Sequence, residues 1–268
     1  MLEFLRVRLA QGTRTTSFPG RVPELPERFR GRPVLDAARC PTQCRECRDG
    51  MPSSVLTSGR DGRPALDIGA CLFSPEEASV CQHGAISYSG DHRLAARDRS
   101  ALTTATGELP AVEALAARAR KLFGRSLRLR SVAAGSCNGC EAELVALGNV
   151  VFDMARFGVQ FVASPRHADG LVITGAVSRN MRDAVYRTFE ATPEPRLVIA
   201  VGACAISGGP FRGSPEVGDG VPSDIPVDLW IAGCPPHPLT VLDGLLRLLG
   251  RLEQGEKPRQ AGAVGAGA

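Results

Sequence analysis

Nine cysteines in a chain of 268 residues constrain this protein more than any other feature of its sequence. An odd number cannot pair completely in disulfides, and clustered cysteines in a reducing compartment more often bind metal. They form two groups along the chain: the first contains Cys40, Cys44, Cys47, Cys71 and Cys81, and the second contains Cys137, Cys140, Cys204 and Cys234. The division predicts two domains, and the residue type predicts bound metal.

The bulk composition is that of a globular chain. Hydrophobic residues make up 43% and charged residues 22%, which excludes global disorder. A net charge of +4 is too small to indicate a nucleic-acid partner. No apolar run reaches the roughly 18 residues that a membrane-spanning helix needs. The N-terminus lacks a signal-peptide core, so we expect a cytoplasmic protein.

Strand-like and helix-like segments alternate beyond residue 126. The predicted strands cover residues 127–133, 159–163, 170–174, 196–201 and 227–232. The predicted helices cover residues 141–157, 180–189 and 239–252. Alternating β and α elements of this length predict an α/β fold with a doubly wound, mostly parallel sheet.

The chain before residue 127 has shorter and less regular elements. Residues 1–35 are rich in Gly, Pro and Arg and predict an irregular arm. Short strand-like segments at 64–68 and 85–88 accompany the first cysteine group. Residues 110–123 predict a helix, because proline stands at its start and glycine follows its end.

Every loop that carries cysteines of the second group comes directly after a predicted strand. Cys137 and Cys140 lie in GSCNGCE, Cys204 follows RLVIAVGA, and Cys234 follows VDLWIAG. Because the carboxyl ends of parallel strands meet at one edge of a sheet, we expect these thiolates to converge. Four cysteines can hold a zinc ion or a 4Fe-4S cluster. Abundant glycine and a single CxxC pair favour the cluster over zinc, and over core cysteines without a ligand.

The segments around these cysteines resemble one protein family, in order and without large gaps, over residues 126–252. They are SVAAGSCNGCE, FVASPRHADGLVITGAVSRNM, PEPRLVIAVGACAISGGPF and IPVDLWIAGCPPHP. The family contains the small cluster-bearing subunit of respiratory complex I and the small subunit of group 4 (energy-converting) NiFe hydrogenases, including formate hydrogenlyase. The resemblance implies a flavodoxin-like domain in which Cys137, Cys140, Cys204 and Cys234 hold the proximal 4Fe-4S cluster.

One detail of the motif separates two branches of the family. The complex I subunits typically carry adjacent cysteines at the first position, whereas this sequence has Cys137-Asn-Gly-Cys140 and resembles the hydrogenase branch. The resemblance implies a role in proton transfer for Glu141, which follows the motif. The helix dipole alone also favours a glutamate in the first turn of a helix, so both interpretations stay open.

The first cysteine group follows an eroded two-cluster ferredoxin pattern. In the pattern C-x2-C-x2-C-x3-C-P, the fourth cysteine of each motif binds the other cluster. One cluster would be held by four cysteines that are all present, with one extra residue after the first: Cys40, Cys44, Cys47 and Cys81. The other would need Cys71, Ser74, Glu77 and Met51, which include one thiol. We expect one surviving 4Fe-4S cluster and a stranded, buried Cys71.

The stretch from RFRGRP to Asp98 resembles the two-cluster ferredoxin subunit that accompanies the small subunit in formate hydrogenlyase and complex I. The resemblance implies that a degenerate ferredoxin-like domain is fused to the small subunit here. A zinc ribbon built from the same four cysteines stays open. The Cys40-x3-Cys44-x2-Cys47 spacing also fits radical S-adenosylmethionine enzymes, but the large barrel that follows their motif has no counterpart.

These patterns predict four parts: an arm with a smaller α+β ferredoxin-like domain (1–100), a linker with a helix (101–126), the small-subunit-like domain (127–255) and a disordered tail (256–268). No nucleophile–base pair, phosphate loop or dinucleotide fingerprint is present in the sequence. We therefore expect an electron-transfer subunit without a catalytic centre of its own.

Three hypotheses describe its complex. The first is a NiFe hydrogenase of the formate hydrogenlyase type, the second a complex I-like NADH/quinone oxidoreductase, and the third a docking scaffold whose ferredoxin half no longer conducts. The resemblance implies a catalytic large subunit, other ferredoxin-like subunits and membrane ion-pumping subunits as partners. Attachment would then be peripheral, on the cytoplasmic face of the inner membrane.

Overall fold

The computed structural model describes residues 2–40, 55–58, 64–123 and 126–252. Its helices are α1 (Leu2–Gln11), α2 (Pro75–Ser79), α3 (Ala117–Phe123), α4 (Gly139–Ala146), α5 (Arg179–Ala191), α6 (Ala203–Ser207) and α7 (Pro238–Leu248). Its strands are β1 (Pro33–Leu35), β2 (Leu56–Ser58), β3 (Pro64–Asp67), β4 (Ile86–Tyr88), β5 (Ala95–Ala96), β6 (Thr103–Thr104), β7 (Leu127–Ala133), β8 (Val159–Phe161), β9 (Gly170–Thr174), β10 (Leu197–Val201) and β11 (Leu229–Ile231).

A six-stranded sheet with the order β5-β11-β10-β9-β7-β8 organises the chain beyond residue 126. Each neighbouring pair is parallel except β11 with β5. When the parallel strands are numbered along the chain, their spatial order is 2-1-3-4-5, the doubly wound order of flavodoxin-like folds. The predicted α/β fold is confirmed.

The middle strands are apolar along their whole length because both faces of the sheet are covered. Strands β9 (GLVIT) and β10 (LVIAV) are buried at every position, as parallel strands between two layers are. Alternate side chains point to opposite faces. Val172 and Ile199 pack in one apolar cluster with α7, whereas Leu171 and Val198 pack in another that includes Val185 of α5.

The elements before residue 105 form two small antiparallel sheets, β1–β4 and β2–β3–β6. Strand β5 instead joins the central sheet, where Ala96 lies opposite Trp230 of β11. Leu66 of β3 shares an apolar cluster with Ile206 of α6. The region predicted to be a separate domain (1–100) therefore shares part of its core with the sheet, and its ferredoxin-like character stays a prediction.

Arg99, which is ion-paired with Asp67 inside the N-terminal region, reinforces this contact between the two regions. Arg99 Nη1 and Nη2 donate to the two carboxylate oxygens of Asp67 at 2.9 and 2.6 Å. Arg99 Nε also donates to the Ile206 carbonyl at 3.3 Å, and Ser207 Oγ donates to the Gly69 carbonyl at 3.2 Å. The N-terminal elements are thus tied to α6, the helix that carries Cys204.

The helix predicted for residues 110–123 is shorter in the structure, beginning at Ala117. Val112 and Leu115 are buried in the main apolar cluster from a non-helical segment. The Leu115 N–H donates to the Leu248 carbonyl at 2.9 Å. Contact with the last helix therefore outweighs the local helix signal.

The helix predicted for residues 141–157 ends at Ala146. Asn149 Oδ1 accepts the N–H groups of Val151 and Phe152 at 2.8 and 3.1 Å, a side-chain turn that competes with the helix. The predicted arm was also wrong in part, since residues 2–11 are helical. The other predicted elements agree with the structure to within a few residues, and the predicted tail (256–268) lies outside the described residues.

Candidate metal centre at the ends of the strands

The second cysteine group lies at the carboxyl edge of the central sheet. Cys137 and Cys140 stand where β7 passes into α4, Cys204 lies in α6 directly after β10, and Cys234 follows β11. The Ala203 N–H donates to the Gly233 carbonyl at 2.9 Å, which joins the loops after β10 and β11. The prediction that these loops meet at one edge is therefore met by the fold.

Two glycines let the thiols lie close to neighbouring backbone. A Cβ atom on Gly202, which has a φ of +91°, would lie 2.4 Å from Cys140 Sγ. A Cβ atom on Gly209 would lie 2.9 Å from Cys204 Sγ. Any larger residue would displace a sulfur atom, because real Cβ atoms do not approach this closely. The glycines thus form a cradle around the thiols, as their abundance near the cysteines predicts.

The Cys137 loop and the Cys234 loop lie side by side. A Cβ atom on Gly139 would lie 3.5 Å from Cys137 Sγ and 3.6 Å from the ring of Pro235, the residue after Cys234. Cys140 and Cys204 are buried, Cys234 is half-buried and Cys137 is exposed. The site is therefore closed toward the sheet and open to its surroundings at Cys137.

The electrostatics of the site disfavour bare thiolates. Burial, followed by the charges of Glu141 and the other thiols, raises the pKa of Cys140 to about 12. Burial, followed by the charges of the neighbouring thiols and Glu141, raises the pKa of Cys204 to about 11. Burial, then Cys137 and Glu77, raises the pKa of Cys234. Like charges this close need a bound cationic centre before they ionise together at neutral pH.

The residues present fit a four-iron cluster. Such a cluster takes each thiolate on a different iron, so its ligands surround a volume. Cysteines on three loops with glycines behind the sulfurs match that requirement.

Glu141 is held beside this site by two hydroxyl groups. Thr174 Oγ1, at the end of β9, donates to Glu141 Oε1 at 2.5 Å. Ser136 Oγ donates to the same oxygen at 3.3 Å. Thr174 is fully buried, so the carboxylate has a fixed position next to Cys140. Its role in proton transfer stays a prediction.

The first cysteine group is only partly described. Cys44, Cys47 and Met51 lie outside the described residues. Cys81 is buried and its Sγ accepts the Ala85 N–H at 3.3 Å, whereas Cys40 is half-buried. The cluster predicted for these cysteines therefore stays a prediction.

Cys71 is buried, as expected, and its thiol is hydrogen-bonded. Its Sγ donates to Glu77 Oε2 at 3.1 Å and accepts the Phe73 N–H at 3.3 Å. Burial, followed by the charge of Glu77, strongly raises the pKa of the Cys71 thiol. The thiol is thus a hydrogen-bonded neutral group.

Glu77 is a buried residue whose surroundings could not be predicted from the sequence. Its side chain is almost fully buried. Besides Cys71, its donors are the Leu72 N–H at 2.8 Å, the Ser74 N–H at 3.1 Å and the Tyr88 hydroxyl at 2.8 Å. The S-x-x-E spacing of Ser74 and Glu77 at the start of α2 was the available signal, since it is typical of a capping box.

His237 takes a structural position close to the site. It is the N-cap of α7, and its Nδ1 accepts the Leu239 N–H at 3.2 Å. Its ring lies edge-on to Phe29 and Phe152, at centroid distances of 5.4 and 5.7 Å. Burial, then the charge of His92, lowers the pKa of His237 to about 4. The imidazole is therefore neutral at physiological pH.

Comparison with known proteins matches the part of the chain that carries this site. The family described as "NADH ubiquinone oxidoreductase, 20 Kd subunit" matches residues 137–248, a span that includes all four strand-end cysteines. Within the residues that the structure describes, no helix is both long and apolar enough to cross a membrane.

Three curated relatives illustrate the similarity. The probable membrane-bound hydrogenase subunit mbhJ of Pyrococcus furiosus is 40% identical over 162 residues, 59% of this chain and 97% of that protein. Formate hydrogenlyase subunit 7 of Escherichia coli is 40% identical over 161 residues, 60% of this chain and 63% of that protein. An NADH-quinone oxidoreductase subunit of Heliobacterium modesticaldum is 45% identical over 119 residues, 44% of this chain and 68% of that protein.

Proposed function

The chain belongs to the family of the NADH ubiquinone oxidoreductase 20 Kd subunit, and from that premise we propose that it is the iron–sulfur electron-transfer subunit of a membrane-associated NiFe hydrogenase of the formate hydrogenlyase type. Two of the relatives described above are named as hydrogenase or formate hydrogenlyase subunits. In this proposal the chain passes electrons to or from a catalytic large subunit.

The observation that carries the proposal is the arrangement of cysteines at one edge of the sheet. Cys137, Cys140, Cys204 and Cys234 would hold a 4Fe-4S cluster, which supplies one-electron transfer when bound. Gly202 and Gly209 keep space beside Cys140 and Cys204. The ligand positions follow strands β7, β10 and β11 of the central sheet, and a rigid sheet keeps structural reorganisation during electron transfer small.

Glu141 would hold and move a proton beside the cluster. Its carboxylate is oriented by Thr174 and Ser136 and directly follows Cys140. A carboxylate fixed at this point could pass protons between the catalytic subunit and its surroundings while electrons pass through the thiolate-bound site.

The first cysteine group would hold a second 4Fe-4S cluster through Cys40, Cys44, Cys47 and Cys81. It would connect the site at the strand ends to other ferredoxin-like subunits. A zinc site at the same cysteines is the competing outcome, and it would make the N-terminal half a docking scaffold.

The catalytic large subunit would cover the face around Cys137, where the site is open. The helix that follows Cys137, α4, exposes one large apolar side chain, Val145, by 78%. Surface of this kind is typical of protein–protein contacts. Further partners would be membrane ion-pumping subunits, and these would bring the chain to the cytoplasmic face of the inner membrane.

The test is elemental analysis of the complex captured anaerobically through this chain. Stoichiometric nickel with hydrogen-dependent dye reduction supports the hydrogenase assignment. Cys204→Ser should remove about four iron atoms per chain and the dye reduction, whereas Cys71→Ser should keep the wild-type iron content. Full activity in the Cys204→Ser complex would contradict the electron-transfer role.

A complex I-like NADH/quinone oxidoreductase is the second candidate, favoured by the 45% identity to the NADH-quinone oxidoreductase subunit of Heliobacterium modesticaldum. Iron without nickel, together with quinone-dependent oxidation, would favour it over the hydrogenase. Both candidates share the cluster at the strand ends, so the metal content of the partner separates them.

A further inference from the structure

Helix α1 is fully exposed although it carries large apolar side chains. Every residue from Glu3 to Gln11 is exposed. The four large apolar side chains among them are exposed by 49–82%: Phe4, Leu5, Val7 and Leu9. Leu5 and Val7 are two positions apart and therefore lie on nearly opposite sides of the helix, because each residue turns it by about 100°. A helix that is apolar on more than one side is normally surrounded by apolar material.

The charges of α1 and of the loop after it are mostly positive. Over residues 1–16, three guanidinium groups stand against the single carboxylate of Glu3: those of Arg6, Arg8 and Arg14. Arg8 and Arg14 line a surface cavity of about 360 Å³. The other side chains that line it are uncharged: Gln11, Thr13, Thr15 and Val150. Two guanidinium groups beside neutral donors suit a phosphate group, so this part of the surface attracts anions.

The exposed apolar surface continues onto the central domain at Val150 and Val151, which are exposed by 65% and 37%. Thr15 Oγ1 donates to the Val150 carbonyl at 2.8 Å, and the Thr16 N–H donates to the Val151 carbonyl at 2.9 Å. Arg156 Nη1 donates to the Thr16 carbonyl at 2.8 Å. These bonds fix the loop after α1 beside the two valines. We call α1, residues 12–16 and these valines the α1 surface.

We propose that the α1 surface binds an anionic lipid bilayer, with the apolar side chains of α1 among the acyl chains and Arg8 and Arg14 on lipid phosphate groups. A groove on a protein takes one apolar face of a helix, whereas a fluid bilayer covers several. Arginines on an immersed helix reach phosphate groups because their stems are apolar, and basic residues favour anionic leaflets.

Helix α1 would lie in the surface of the bilayer, because its ten residues are too few to cross one. Lipid binding goes beyond the proposed function, since the α1 surface contains none of the cysteines and the contact needs no partner subunit. Direct contact with lipid would also fix how the central domain is oriented to the membrane, because the loop after α1 is bonded to it.

The test is flotation of the full-length chain, reconstituted anaerobically with iron and sulfide, with lipid vesicles. The chain should float with vesicles of phosphatidylcholine and phosphatidylglycerol in equal amounts, but not with vesicles of phosphatidylcholine alone. Phe4→Ser combined with Leu9→Ser should weaken binding to the anionic vesicles about 100-fold or more, because two large apolar side chains no longer leave water. Arg8→Gln combined with Arg14→Gln should weaken it about 30-fold.

Helix α3 supplies the matched controls, because it also exposes two arginines and a leucine: Arg118, Arg120 and Leu122. Arg118→Gln combined with Arg120→Gln removes the same charge as the α1 arginine variant, and Leu122→Ser removes an exposed leucine. Both should bind the anionic vesicles like the wild-type chain. Because α1 is exposed, its variants should unfold at the wild-type urea concentration, which separates a loss of binding from a loss of folding.

Failure of the wild-type chain to float with the anionic vesicles would overturn the inference, and so would equal losses of binding in the α3 variants. If the wild-type chain does not float but the α1 variants no longer join the captured complex, the α1 surface binds a protein partner instead of lipid. The proposed function stands in each of these cases, because it is tested by the iron and nickel of the captured complex.

Discussion

A Cβ atom on Gly202 would lie 2.4 Å from Cys140 Sγ. The contact between these two residues therefore limits how closely the segment after β10 can approach the start of α4. Gly202 directly follows β10 and Cys140 lies in the first turn of α4. Cys140 is buried and cannot move away without disturbing the main apolar cluster, to which it belongs. Glycine is thus required at position 202 for two reasons: its φ is positive (+91°), and Cys140 Sγ leaves no room for a Cβ atom.

Gly202→Ala should therefore impair cluster binding. The added methyl group would displace the Cys140 thiol, which is one of the four proposed ligands of the cluster. We therefore expect the iron content of the purified chain to fall by about half or more. Gly213→Ala is the matched control, because Gly213 also has a positive φ (+77°) but nothing within 4 Å of an added Cβ. Equal iron contents in both variants would show that Cys140 is not a ligand.

Glu141→Gln should slow the complex without removing its cluster. A general acid or base contributes about 10²-fold or more to a rate, so we expect hydrogen-dependent dye reduction to fall by about that factor at unchanged iron content. Thr174→Val, which removes the 2.5 Å hydrogen bond to the carboxylate, should show a smaller loss. A wild-type rate in Glu141→Gln would leave the helix-dipole interpretation as the explanation for this residue.

Arg99→Ala should loosen the N-terminal elements from α6. The guanidinium makes two hydrogen bonds to Asp67 and one to the Ile206 carbonyl, and loss of a partly buried charged partner costs about 1–3 kcal/mol. Urea unfolding of the purified chain measures this loss. Arg187→Ala breaks an exposed ion pair with Asp183 and should change the free energy of unfolding by about 0.5 kcal/mol or less. A similar small change in Arg99→Ala would contradict the expectation.

The stability of the chain should fall as the pH drops from about 6.5 toward 4, partly through His237. Its folded pKa of about 4 lies below the ordinary value of about 6.5. In this window the unfolded chain binds a proton that the folded chain does not, so the folded state loses stability with falling pH. Protonation would also remove the Nδ1 acceptor of the Leu239 N–H.

His237→Asn keeps an acceptor at the N-cap but no longer titrates. Unfolding free energies measured across this window should depend less on pH in the variant, by up to about 1.4 kcal/mol per pH unit. Identical pH profiles for the variant and the wild-type protein would show that His237 does not cause the loss.

Local patterns predicted the central sheet well. Strands β7 and β9 were predicted with the bounds that the structure has. Strand β7 alternates apolar and polar residues, whereas β9 is a continuous apolar run because it is buried on both faces. The antiparallel strand β5 was missed, since Ala95–Ala96 carries almost no strand signal. Its pairing with β11 depends on residues more than a hundred positions away.

The sequence by itself determined the strand–helix alternation and placed every cysteine of the second group just after a strand. That is enough to bring the loops together, because parallel strands end at the same edge of a sheet. Only the tertiary structure decided what surrounds Cys71 and Glu77. Cys71 and Glu77 meet Tyr88 through chain packing, and a buried carboxylate is tolerated there because several donors converge on it. Such convergence depends on three-dimensional contacts that no local pattern encodes.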